Sequence, residues 1–111
     1  MTDITVNTLV ESKYAEDSQT KQYTSTDVKT MVDKFTATNA TASDVTFVVN
    51  LAAGTTAEAA ANVVLNKTIL AGTSYPCPEI VGHELDDTGF ISTLAGTASA
   101  IVIRISGRKI A

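Results

Sequence analysis

The chain's single thiol and single imidazole, Cys77 and His83, lie close together in T-S-Y-P-C-P-E-I-V-G-H-E, residues 73–84. A thiolate nucleophile needs an imidazole base beside it and an orienting group behind that base. The local sequence favours a different role for Cys77. Wedged between Pro76 and Pro78 and next to apolar residues, it reads as a small buried hydrophobe. His83, Glu84, Asp86 and Asp87 form the densest cluster of metal-ligating side-chain types. That cluster lacks the spacing and the glycine of an EF-hand loop and the paired histidines of a zincin, so it is read as a solvated loop. There is no Walker loop, no G-x-G-x-x-G and no G-x-S-x-G. Spacing alone does not define a glycosidase's pair of carboxylates. A sugar cleft, however, normally offers aromatic stacking, and this chain has no Trp, 3 Phe and 3 Tyr. The expectation is a non-enzymatic protein with no catalytic residues, no cofactor and no metal; a small hydrolase or ligand-binding module is the remote alternative.

Charge narrows the partners. With 8 Lys and Arg against 12 Asp and Glu, the net charge is −4, and a phosphate-binding surface needs clustered cations. The one local positive bias is Arg104, Arg108 and Lys109 near the C-terminus, either a contact patch for an acidic partner or a solvated strand end. Tyr14 and Tyr23 are the large anchors of the otherwise polar residues 11–26, and they join the three cations as candidate protein-contact residues. One cysteine excludes an internal disulfide framework and a four-cysteine zinc site. The opening M-T-D-I-T-V lacks a basic n-region and a long apolar stretch, so no secretory signal is expected. No apolar run approaches the roughly 18 residues of a membrane span. Neither nucleic acid nor membrane is expected as a partner.

The elements that must position these residues read as strands. Thr, Val and Ile number 18, 11 and 8, a third of the 111 residues, and such side chains are stiff at χ1 and suit a pleated surface. Within residues 90–110, Ile101, Ile103 and Ile105 alternate with Arg104 and Ser106, the period of a half-buried strand. A hairpin is predicted there, with strands over 90–94 and 100–106. A second hairpin is predicted from residues 28–39 and 45–51, joined by the small polar turn N-A-T-A-S-D. Asp33 breaks the alternation of the first of these strands, which requires either a bulge or a rim position. A first strand is expected over residues 3–9, and a central one over 62–70, where both faces are apolar. Pro76 and Pro78 confine their segment to a sheet edge or a crossover, and Ile80 and Val81 re-enter the core.

Residues 52–62 hold a capping-box pattern, Thr55 and Glu58, compatible with at most one helical turn in a loop. L-A-G-T occurs at residues 70–73 and 94–97, with L-A-A-G-T at 51–55 as a looser copy. It reads as a corner in which glycine takes positive φ. The sum is one all-β domain, an antiparallel β-sandwich or jelly-roll-like module of about seven to eight short strands. Residues 1–26 form a polar N-terminal arm or edge strand, and residues 27–111 form the sandwich core.

Four stretches, V-D-K-F-T-A-T-N (32–39), V-T-F-V-V-N-L (45–51), T-I-L-A-G-T-S-Y-P-C-P-E-I-V-G (68–82) and F-I-S-T-L through A-I-V-I-R-I-S-G (90–107), resemble small virion structural proteins of tailed bacteriophages. The resemblance covers the chain from Asp27 onward and rests on fold-specifying residues that carry no chemistry. It implies a capsid decoration or cement protein bound to the major capsid protein or other virion proteins, as a homo-oligomer (dimer or trimer). A neck, tail or fibre-associated adaptor is the alternative. The implied location is the virion, assembled in the host cytoplasm.

Overall fold

In a computed structural model, residues 3–54 and 62–111 are described. Nine strands are found among them: β1 (Ile4–Tyr14), β2 (Thr20–Thr24), β3 (Lys29–Asn39), β4 (Val45–Ala52), β5 (Val63–Ile69), β6 (Ser74–Tyr75), β7 (Glu84–Leu85), β8 (Phe90–Ala95) and β9 (Ile101–Ile110). All pairings are antiparallel and fall into two sheets. One has the order β1-β9-β3-β6, with β7 also on β3, and the other has the order β2-β8-β4-β5. β6 pairs with Ala37 and Thr38, and β7 with Thr30 and Met31, so the two short strands act as one interrupted edge strand. Counted that way, the described residues form an eight-stranded jelly roll whose consecutive strands mostly switch sheets.

The inner faces of the two sheets supply the core. Phe35 of β3 and Phe47 of β4 meet edge to face across it, with ring centroids 6.2 Å apart. Val32, Val49, Ile69, Ile91, Ile101, Ile103 and Ile105 are fully buried around that pair. β3 reaches the core in both halves because of a bulge between Val32 and Lys34. Thr30 and Val32 face inward before it, Phe35, Ala37 and Asn39 after it, and Asp33 is left on the surface. The irregular alternation at Asp33 has its cause there.

Both predicted hairpins are corrected. β8 and β9 lie in different sheets, as do β3 and β4, so residues 96–100 and 40–44 are crossovers between layers. Alternation does not separate the two cases, since a strand with one buried face looks the same whether its neighbour is beside it or opposite. Side-chain hydrogen bonding holds the β3–β4 crossover. Asn39, fully buried, donates to the Ser43 and Ile69 carbonyls (2.8 and 2.9 Å), and its Oδ1 accepts from the Thr41 amide and hydroxyl (2.9 and 2.7 Å). Asp44 Oδ1 accepts from the Ala71 amide at 3.0 Å, tying this crossover to the next one.

The adjacent hairpin that does form is β4–β5, with Val45 opposite Ile69. β5 is therefore an edge strand rather than a central one. Ile80 is buried as expected, but Val81 is 40% exposed. The first strand is longer than predicted and runs on to Tyr14. The capping-box residues Thr55 and Glu58 lie outside the described residues.

The L-A-G-T corners are two devices. Gly54 and Gly72 take φ of +55° and +69°. Gly96 instead permits a close approach: a Cβ there would sit 2.5 Å from Thr46 Oγ1, and its amide donates to the Thr46 carbonyl at 2.8 Å.

Candidate functional site

β9 carries the basic residues, and its register with both neighbours fixes where they point. Gly107 lies opposite the buried Val32, while Arg108 lies opposite Val6 on one side and Met31 on the other. Arg104 and Arg108 therefore project from the outer face of the β1-β9-β3 sheet, and Lys109 turns toward the space between the sheets. Tyr14, opposite Val102, joins the arginines on the outer face and is 51% exposed. Tyr23 faces the core from β2; its hydroxyl meets Thr30 Oγ1 at 2.9 Å, and Lys109 Nζ stands 5.9 Å from its ring. The five candidate contact residues thus divide into an outer-face set of Tyr14, Arg104 and Arg108 and a rim pair of Tyr23 and Lys109.

The positive bias is largely compensated within the molecule. Arg104 pairs with Glu11 of β1 at 3.0 Å. Arg108 makes a bidentate contact with Asp33, at 2.9–3.1 Å, and its Nη2 also lies 3.1 Å from Met31 Sδ. Hydrogen bonding to Asp33, then its charge, push the Arg108 guanidinium pKa above its ordinary value. The bulge that keeps Phe35 in the core also sets Asp33 beside Arg108. These partners lie 75 and 93 residues apart in the chain, so no local sequence signal could have found them.

The thiol and the imidazole have different surroundings. Cys77 is fully buried in a left-handed turn (φ 47°), and burial, with the Glu79 carboxylate adding to it, pushes its pKa up to about 12. The protonated thiol lies 3.6 Å from the Tyr75 carbonyl. His83 is exposed, and its carbonyl accepts from the Val32 amide at 3.1 Å. Glu84 and Asp86 both pair with Lys29, at 3.2 and 3.4 Å, and Asp87 accepts from the Asp27 amide at 2.7 Å. The carboxylates of this loop thus fasten it to the first residue of β3 and to the turn just before that strand. Among the described residues no three His, Cys, Asp or Glu side chains converge as a metal site would require. Glu84, Leu85 and Asp86 also line a small cleft of about 170 Å³, facing Leu51, Ala52 and Ala53.

Polar residues 16–22 are bound to the second sheet. Gln19 Nε2 donates to Ser92 Oγ at 2.7 Å, and Gln22 Nε2 donates to Thr93 Oγ1 and Glu16 Oε1, both at 2.9 Å. Lys21 Nζ lies 4.2 Å from the centre of the Phe90 ring. The sequence shows only that this stretch is polar; its glutamines add side-chain ties to the backbone ladder between β2 and β8.

Compared with known protein families and with curated proteins, the sequence matches none. Among solved structures it is similar to a chain in the structure of infectious bursal disease virus, Gx strain, with 9% identity and a TM-score of 0.42. The similarity takes in 99% of this chain and 31% of that one, so this chain spans about a third of that protein's length. At that depth the likeness does not bear on function.

Proposed function

We infer that the chain is a non-enzymatic structural protein of a tailed-bacteriophage virion, and within the virion a capsid decoration or cement protein. The observation that carries this reading is where the resembling stretches fall. Residues 32–39, 45–51, 68–82 and 90–107 supply most of β3, β4, β8 and β9, the inner strands of both sheets, together with the β5–β6 turn. The stretches that resemble small virion proteins are thus the ones that build the frame of this sandwich. Jelly rolls also serve as lectin domains and cupins, so the frame alone does not choose among them. The interior favours the structural role. Phe35, Phe47, Ile91, Ile103 and Ile105 fill the space between the sheets where a ligand-binding barrel keeps a cavity.

A packed sandwich of this kind works through its outer faces and edges. Its partners are the major capsid protein or other virion proteins. Many copies, each held by a modest contact, bind a particle firmly through avidity. The test is reconstitution on heads assembled without the chain. Purified protein is expected to bind heads saturably and to raise the temperature at which they open. Arg104→Glu with Arg108→Glu is expected to lower occupancy if the outer face of β9 is the contact. Binding to isolated tails but not to heads would overturn the decoration reading.

A further inference from the structure

β1 is an edge strand whose two halves differ. Its second half carries Glu11 and Lys13 and is interrupted by two register shifts, between Thr8 and Val10 and between Val10 and Lys13. Charge and bulges are the usual protection of an exposed edge. The first half has neither. Residues 4–8, I-T-V-N-T, pair regularly with β9 and contain no charge and no proline. Ile4 is 60% exposed and Val6 is 83% exposed, the most exposed of the large hydrophobic side chains among the described residues.

The ladder shows which backbone groups this edge presents. Asp3 and Ala111 exchange hydrogen bonds in both directions, at 3.2 and 2.9 Å. In an antiparallel pair, hydrogen-bonded and non-bonded positions alternate. Thr5 and Asn7 therefore bond to β9, while the amides and carbonyls of Ile4, Val6 and Thr8 point away from it. The side chains of the same three residues share the outer face of the sheet, in register with Ile110, Arg108 and Ser106.

We propose that this edge is a homodimer interface in which two copies of β1 pair antiparallel about a two-fold axis through Val6. In this register Val6 lies opposite its own copy and Ile4 lies opposite Thr8. Each outward-pointing amide and carbonyl of Ile4, Val6 and Thr8 then meets a partner, and the two sheets become one. The side chains of all three residues remain on one face, so the exposed Val6 side chains cover each other beside Ile4. A second copy fits because the register is self-complementary, as an isologous contact must be. It also brings no like charges opposite each other on a chain of net charge −4. The bulge after Thr8 ends the pairing. The contact is much smaller than the roughly 20–30 residues a side of a standard interface, so the dimer is a weak one that forms with concentration. The inference rests on the strand geometry and is independent of the virion reading.

Sedimentation equilibrium on the purified chain tests it, using Val6→Lys and Val6→Glu alone and mixed. Matched melting temperatures check that the variants fold. The wild type is expected to dimerise as its concentration rises toward about 1 mM, each variant to stay monomeric, and the equimolar mixture to dimerise again. A wild type that stays monomeric throughout, or a variant that dimerises as well as the wild type, would overturn the proposal. So would a mixture that fails to recover, because residue 6 would then not lie opposite itself.

Discussion

At the scale of the residue, the environment of Cys77 sets its chemistry. Burial pushes its thiol from the ordinary 9 up to about 12, and the hydrogen bond to Glu79 is the chief cause that pushes the Tyr75 phenol from 10 up to about 12. Both folded values lie above the unfolded ones. Their contribution to stability is therefore complete below about pH 9 and is lost as the pH climbs toward about 12. Denaturation midpoints followed through that range are expected to fall. A thiol-reactive dye at neutral pH is expected to leave native Cys77 unlabelled and to label it in urea. Fast labelling of the native protein would contradict the buried, protonated thiol. The flanking prolines point to a buried Cys77, and the thiol is buried. The break in alternation at Asp33 is equally legible, and of a bulge or a rim position the fold takes the bulge. The role of Asn39 was not legible, because its partners at Ser43 and Ile69 meet only once the crossover has formed.

At the scale of the element, β9 is the strand on which the first sheet is built, since it pairs along its length with both β1 and β3. Its alternation of isoleucines was the clearest signal in the sequence. What alternation left undecided was the neighbour. The same pattern would serve a hairpin with β8, and the five-residue connection gave no sign that β8 belongs to the opposite sheet. Gly107 is a consequence of that central position. A Cβ at this site would run into the Met31 carbonyl oxygen and press on Leu9 at 3.1 Å. Gly107→Ala is therefore expected to force β9 away from β3 and to cost about 1–3 kcal/mol, the range of an overpacked core. Urea denaturation measures it, and an unchanged midpoint would mean that the two strands separate without penalty.

At the scale of the whole molecule, the fold class was legible because a third of the residues are β-branched and polar turns recur between apolar runs. The topology was not, because strand order depends on contacts between distant segments. Residues 1–26 illustrate the difference. Their polarity suggests an arm or an edge strand, and the described part, residues 3–26, contributes β1 and β2, one edge of each sheet, with Val10 and Ala15 in the core. Deleting residues 1–26 would uncover β8 and β9 and open the core at both. The truncated chain is expected to lose cooperative unfolding and to aggregate, as read by circular dichroism and gel filtration. A folded, monomeric truncation would show that residues 27–111 carry the sandwich alone.

The central claim, that this jelly roll decorates a phage head, is tested most directly by its copy number in purified particles, counted by quantitative mass spectrometry against the major capsid protein. A decoration protein follows the symmetry of the shell, so the account predicts hundreds of copies per particle. About six to a dozen copies, the symmetry of a neck or tail ring, would contradict it.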